Sequence, residues 1–246
     1  MKILLLDIET SPNLAHVWGL WQQNVGTNQL LEASEVMCWA AKWYGEKEVQ
    51  FMSNHTSSHT HMISAMHSLL DEADVVVHYN GKKFDIPTLN KEFLLYGYAP
   101  PAPYKQIDLL RVVRSNFKFP SNKLDYVAQR LGVGKKVKHE GHELWIKCMN
   151  KDPQAWKKME RYNKQDVVLL EKVYDKLLPW IKSHPNHNLY NDVEHACPTC
   201  GSGHIIKRGL ARTIGGVYQR YQCVGCGSWS QSNKSIKTVE IKGIAS

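Results

Sequence analysis

The chain has 246 residues, 43% hydrophobic and 22% charged, enough for one full core with a small appendage and too varied for a fibrous or disordered protein. A net charge of +8 favours an anionic partner such as nucleic acid. Nothing approaches the ~18 apolar residues of a membrane span, and the apolar opening stops at Asp7, too short for an export signal, so no membrane partner is expected. The charge is uneven: residues 195–246 hold seven Lys and Arg against Glu240 alone.

In chain order, residues 2–9 read as a buried strand. Asp7 and Glu9 stand at alternate positions, hence on one face. Two carboxylates so placed repel each other and are costly to desolvate. A hard divalent cation such as Mg²⁺ or Mn²⁺ relieves both costs; the plain alternative is a strand running out into a polar loop. Residues 13–30 are mixed, with Trp18 and Trp21 expected on a second strand or its flank. Val36 to Tyr44 and Glu48 to Met52 are rich in β-formers and suggest an antiparallel meander. Residues 54–61 read as loop. Its histidines, His55, His59 and His61 with His67 beyond, are expected to be solvated, because no carboxylate or cysteine joins them.

Met62 to Ala73 carries a helical stripe of Ile63, Met66, Leu69 and Leu70. Asp74 to Tyr79 is a second buried strand, broken at Asn80-Gly81. Asp85 to Gly97 reads as a helix closed by its glycine. Helices are also expected at Ile107 to Phe117 and Leu124 to Leu131, followed by a basic loop from Lys135 to Gly141. Asp152-Pro153 opens a long helix through about Ile181, Asp at the N-cap and Pro at N1. A β-rich start followed by alternating strands and helices gives an α/β class. The expected organisation is a main domain over 1–182, a linker over 183–194 and a small basic unit over 195–246.

Two more carboxylates stand out. Asp85 follows the second buried strand, where a helix cap is the simple alternative. Asp166 lies mid-helix beside the apolar stripe of Met159, Val167, Leu170 and Val173, with Tyr162 one turn earlier on the same face. An Asp bordering a buried stripe is expensive unless paired or metal-bound; a surface Asp near Lys164 or Lys172 is the alternative. Asp108 reads as a helix cap rather than a fifth acid of the group.

Of six cysteines, four form the pairs Cys197/Cys200 and Cys223/Cys226, with 22 residues between the pairs. They read as metal ligands in a reducing compartment. Four thiolates in this pattern make a tetrahedral structural Zn²⁺ site; a redox dithiol pair is the alternative. Ile205 to Gly209 and Val217 to Tyr221 alternate like hairpin strands, and the unit resembles a zinc ribbon. Arg208, Arg220 and Tyr221 are its candidate nucleic-acid contacts, by phosphate pairing and base stacking.

Asp7-x-Glu9, Asn80-x-x-x-Phe84-Asp85 and Tyr162-x-x-x-Asp166, in this order, resemble the DEDD superfamily of 3′→5′ exonucleases. That superfamily shares the RNase H-like fold of polymerase proofreading domains. The Tyr-x-x-x-Asp form marks its DEDDy branch; the other branch has His where this chain has Arg161. The resemblance covers roughly residues 1–182. It implies a mixed sheet flanked by helices and hydrolysis of single-stranded DNA from its 3′ end with two Mg²⁺ or Mn²⁺ ions. By resemblance Asp7 would bridge both ions, Glu9 and Asp166 would complete the ion site that activates the water, and Asp85 would support the other. Tyr162 would orient the water, and Asn80 and the backbone near Thr10 would hold the terminal nucleotide. Lys82, Lys83 and Lys138 are candidate phosphate contacts, with His139, His142 and Glu143 in a mobile loop beside the site. The stretch from His139 to Pro185, ending in the ribbon, resembles exonucleases of phage and prophage genomes. The expected setting is therefore the cytoplasm of a bacterium or phage-infected cell, with a replication or repair protein as a further partner. An exoribonuclease, a structure-specific endonuclease and a non-catalytic nucleic-acid-binding adaptor on the same fold are the alternatives.

Overall fold

The Leu4-Leu5-Leu6 run builds the middle of the sheet. In the computed structural model, which describes residues 1–190, 193 and 195–241, β1 (Ile3–Thr10) is fully buried over its three leucines. β2 (Leu14–Ala15) and β3 (Leu30–Glu32) form a separate two-stranded ribbon. Trp18 and Trp21, expected on or beside a strand, lie between these two short strands and are 99% and 84% exposed. Their stretch has aromatic residues but no sustained alternation to bury one face.

β4 (Val36–Trp43) pairs antiparallel with β1, and β5 (Gln50–Ser53) pairs antiparallel with β4. α1 (His59–Glu72) starts three residues before its apolar stripe, because the Ser58 hydroxyl caps it by accepting the His61 N–H at 3.2 Å. The histidines expected to be solvated are mostly engaged: His59 Nε2 lies 3.2 Å from Glu92, His67 bonds the Ala99 carbonyl, and His55 stacks on Trp156. β6 (Val75–His78) runs parallel to β1, α2 (Asp85–Leu95) follows, and β7 (Lys105–Asp108) pairs parallel with β6. β7 corrects the helix expected from Ile107. The helical span begins only at Leu109, as α3 (Leu109–Asn116), with the Asp108 carboxylate accepting the Leu110 N–H at 3.1 Å. α4 (Leu124–Arg130), α5 (His142–Met149) and α6 (Pro153–Leu177) complete this part, with Asp152 capping α6 through the Gln154 and Ala155 N–H groups.

The five-stranded sheet has the order β5-β4-β1-β6-β7, a mixed sheet flanked by helices. One face packs Leu4, Leu6, Ile8, Trp39 and Val76 against Met62, Met66 and Leu70 of α1 and Leu89 and Phe93 of α2. A second cluster joins Met37 and Cys38 of β4 to Leu144 and Cys148 of α5 and Trp156, Met159 and Tyr162 of α6. Strand alternation therefore sends Leu4, Leu6 and Ile8 one way and Asp7 and Glu9 the other, toward α6.

Chain contacts divide the protein into two compact units, residues 2–173 and the remainder from Tyr174 with Met1. Within the second unit, β8 (Ile205–Arg212), β9 (Gly216–Cys223) and β10 (Trp229–Thr238) form an antiparallel sheet in the order β10-β9-β8. The expected hairpin is thus joined by a third strand. The Asn188 amide donates to the Ala196 carbonyl, and the His187 N–H to the Pro198 carbonyl, so part of the expected linker packs on the first cysteine knuckle. Asn191, Asp192 and Glu194 of that linker and residues 242–246 of the basic tail lie outside the described residues. Among the described residues no helix is long and apolar enough to cross a membrane.

Leu6 is fully buried between two layers, so Leu6→Ala is expected to cost about 2–5 kcal/mol of stability. Urea unfolding of the two proteins measures the loss.

Candidate active site

The carboxylates meet where β1 ends. Asp7, Glu9 and Asp166 each present an oxygen, and these oxygens lie within 4.8 Å of one another. β1 supplies the first two on one face, and α6 delivers Asp166 from its buried side. Asp85 arrives from the first turn of α2. It is not the N-cap, which is Phe84; its Oδ1 instead accepts the Ile8 N–H at 3.2 Å, fixing it beside β1. The turn that carries it there has Asn80 in the left-handed region at φ +72°, and the Asn80 N–H donates to Asp108 at 2.9 Å. Asp108 therefore caps α3 and ties down the turn, as a support for the site.

Burial raises all four carboxyl pKa values, and repulsion from the other carboxylates of the cluster adds to it for Asp7 and Glu9. Asp7 is held well above the usual range, first by burial and then by Glu9, Asp166 and Asp85. Burial pushes Glu9 up to about 8, against the opposing pull of Lys136 and a Trp145 hydrogen bond. Asp85 is pushed up to about 7 by burial despite the Ile8 N–H. Burial also raises Asp166. Such a cluster calls for positive charge.

Two residues that sequence reasoning did not assign to the site answer it. Lys136 pairs with Asp166 Oδ2 and donates to the Tyr162 hydroxyl at 3.2 Å. Desolvation opposes its charge, but Asp166, Tyr162 and Asp7 outweigh that and keep it protonated. Asn163 donates to Asp7 Oδ2 at 2.7 Å and fixes that carboxylate's orientation. Its spacing, three residues before Asp166 on the same helix face, was the available signal. Tyr162 is buried, its pKa raised by burial and by Glu9 and Asp166, so its hydroxyl is a neutral donor. His139 packs edge-on against Tyr162 at 4.8 Å and against Trp145 at 5.3 Å. His142 opens α5 and Glu143 pairs with Lys147, so neither joins the cluster.

The cluster opens into a cleft of about 660 Å³ lined by Asp7, Asn80, Arg114, Lys123, Lys136 and Tyr162. Lys82 and Lys83 line an adjoining hollow of about 620 Å³ that shares Asn80 and Arg114 with it. Thr10 ends β1 where its register with β4 shifts. Lys138 lies in a different groove. The donor set fits hard divalent cations: three oxygen ligands converge, and the buried Asp166 Oδ1 has no hydrogen-bond partner.

In the second unit the four sulfurs of Cys197, Cys200, Cys223 and Cys226 also lie within 4.8 Å of one another. The Cys197–Cys226 and Cys200–Cys223 sulfurs are 3.7 Å apart. A tetrahedron with metal–sulfur bonds of about 2.3 Å has edges of about 3.8 Å, so the cage has the size of a Zn²⁺ site. Both knuckles close alike: Gly201 and Gly227 sit at φ +74° and +79° and donate back to the carbonyls of Cys197 and Cys223. Burial opposes ionisation of Cys197, but the Ser228 hydroxyl and nearby backbone N–H groups bring it down to about 7. On the adjoining sheet Arg208 and Arg220 lie 5.6 and 5.4 Å from the Trp229 ring, and Tyr221 pairs with Lys207 and Ser230 across the strands.

A sequence model of the RNase H superfamily matches residues 4–178, and the chain belongs to that superfamily. Among solved structures it is similar to the family B DNA polymerase from the hyperthermophilic archaeon Pyrobaculum calidifontis, with 20% identity and a TM-score of 0.56. The likeness takes in 72% of this chain and 24% of the polymerase, so the chain spans about a quarter of that protein's length. It is a likeness of fold. No curated protein matches the sequence. Superfamily membership supports a nuclease that acts on nucleic acid with divalent metal.

The raised carboxylates give a pH signature. Each binds its proton more tightly in the folded chain than in the unfolded one, where carboxyls titrate near 4. Without added Mg²⁺ or Mn²⁺, stability is therefore expected to fall as pH rises from about 4 to about 8, the window set by Glu9 and Asp85. Calorimetry should show a melting temperature that declines from pH 5 to 8, recovers on adding Mn²⁺, and declines less in Asp7→Asn.

Proposed function

We propose that the chain is a metal-dependent 3′→5′ exonuclease of the DEDDy type, acting on single-stranded DNA with two divalent ions. The observation that carries this reading is the convergence of Asp7, Glu9 and Asp166 on one point, with Asp85 and Tyr162 beside it. Direction and branch rest on the order of the motifs and on Tyr162 four residues before Asp166.

Asp7, Glu9, Asp85 and Asp166 would hold Mg²⁺ or Mn²⁺. Ions bound there would acidify a water and offset negative charge on the phosphodiester and its leaving oxygen. Asn163 holds the Asp7 carboxylate in one orientation. The Ile8 N–H does the same for Asp85. The Tyr162 hydroxyl, neutral at working pH, orients the attacking water by hydrogen bonding. Asn80 and the backbone near Thr10 position the terminal nucleotide, while Lys82, Lys83 and Lys138 hold phosphates. Lys136 neutralises Asp166 before substrate arrives.

In the second unit the four cysteines would hold one structural Zn²⁺, making a zinc ribbon. Arg208, Arg220 and Tyr221 would then bind the strand. A ribbon bound to a replication or repair protein is the other use of the same surface. Four free thiols in one cluster suit a reducing cytoplasm, and a phage-type origin follows from the resemblance alone.

The test is a time course on 5′-labelled single strands, as DNA and as RNA, with Mn²⁺ or Mg²⁺. A ladder shortening from the 3′ end is expected on DNA, with none in Asp7→Ala. Full activity in that variant removes the assigned site. Tyr162→Phe keeps the ligands but loses the orienting hydroxyl and is expected to lose roughly 10²-fold in kcat with binding unchanged. Removing zinc with a thiol-reactive agent should unfold the C-terminal sheet, seen as lost β signal in circular dichroism.

A further inference from the structure

The loop at residues 135–138 and the exposed face of α6 enclose a groove of about 810 Å³ that the proposed chemistry leaves largely unused. Among the described residues six cations line it, Lys135, Lys136, Lys138, Lys157, Lys158 and Arg161, with no carboxylate. Lys136 is taken up by Asp166 and Lys158 by Glu140. Lys135, Lys138, Lys157 and Arg161 make no ion pair among the described residues.

Concentrating like charges this way works against the fold. Lys157 and Arg161 stand one turn apart on α6, where like charges destabilise a helix. Two segments distant in sequence bring their cations into one concavity instead of dispersing them into solvent. Gln154 and Gln165 extend the α6 stripe at both ends, over a length on the order of 16 Å at 1.5 Å per residue. That is longer than a single phosphate or nucleotide needs. The groove also borders the site. Arg161 adjoins Tyr162, Gln165 adjoins Asp166, and Lys136 lines both this groove and the cleft over Asp7. Among the described residues no aromatic side chain lines it, so it offers charge and amides but no stacking surface.

We propose that this groove is a second track for a polynucleotide backbone, gripping several phosphates of the strand beyond those at the reacting end, without regard to sequence. The proposal rests on the nuclease reading of the adjoining site. Arg161 and Lys157 are its main unpaired contacts on α6; both are exposed and neither touches the carboxylate cluster.

The test uses the full chain and the double variant Lys157→Ala/Arg161→Ala. Binding of a long 5′-labelled oligothymidylate is titrated by fluorescence anisotropy over a range of KCl, without divalent ions. Cleavage of a dinucleotide is measured in Mn²⁺. The variant is expected to bind the long strand more weakly, with the slope of log K against log salt reduced by about 1.4, or about 0.7 for each cation removed from a single-strand contact. Dinucleotide cleavage should be unchanged, and circular dichroism should match the parent. An unchanged slope and affinity on the long strand overturns the proposal, as does an equal loss on long strand and dinucleotide. The two readings fail separately. A parent that cleaves nothing, with the variant's slope reduced as expected, removes the nuclease and keeps the track. A parent that cleaves, with the slope unmoved, keeps the nuclease and removes the track.

Discussion

Electrostatic repulsion among four carboxylates, Asp85 and Asp166 buried and Asp7 and Glu9 half-buried, is the constraint around which the main unit is arranged. Asp7 and Glu9 are forced together by strand alternation, and Asp166 and Asp85 are brought against them by α6 and α2. Left alone, that concentration of charge would unfold the end of the sheet or hold the carboxyls protonated at neutral pH. The structure meets it with three devices. Asn163 donates to Asp7, the Ile8 N–H donates to Asp85, and Lys136 places an ammonium beside Asp166. The residual deficit of positive charge is what gives the cluster its use. A divalent cation bound there would relieve the repulsion and add its binding energy to the stability of the folded chain.

The support runs outward from there. The apolar face of β1 is locked by α1 and α2 through Leu4, Leu6 and Ile8, so the opposite face has no freedom to rotate its carboxylates away. α6 is held by Met159 and Trp156 in the second cluster, and these set the turn on which Tyr162, Asn163 and Asp166 face inward. Asp108 extends the chain of support through the Asn80 N–H to the turn that delivers Asp85. It is a carboxylate near the site that serves it without joining it.

Much of this was legible in the sequence, and the parts that were not share a cause. β1, α2, α6 and the cysteine knuckles announce themselves through local patterns: alternation, caps, apolar stripes, paired Cys-x-x-Cys. β7 does not. It is a four-residue parallel strand whose partner is β6, about thirty positions away, and its apolar end runs straight into Leu109 and Leu110. β10 is equally silent, since Ser, Gln, Asn and Lys fill a strand that is mostly exposed and owes its place to β9. Trp18 and Trp21 misled in the other direction, as β-forming residues with no sheet to join. Lys136 was hidden among Lys135 and Lys138 in one loop; only the fold decides which of three lysines faces the carboxylates. Asn163 was visible in principle, at helical spacing from Asp166, but an amide carries no charge to draw notice.

Two of the protein's basic surfaces are built on different physics. In the C-terminal unit Arg208 and Arg220 lie over the Trp229 ring, so charge and an aromatic surface come together on one sheet. In the main unit the groove on α6 offers cations and amides, with Val137 between them and no aromatic ring among the described residues. The first can grip an unstacked base; the second can only track a backbone.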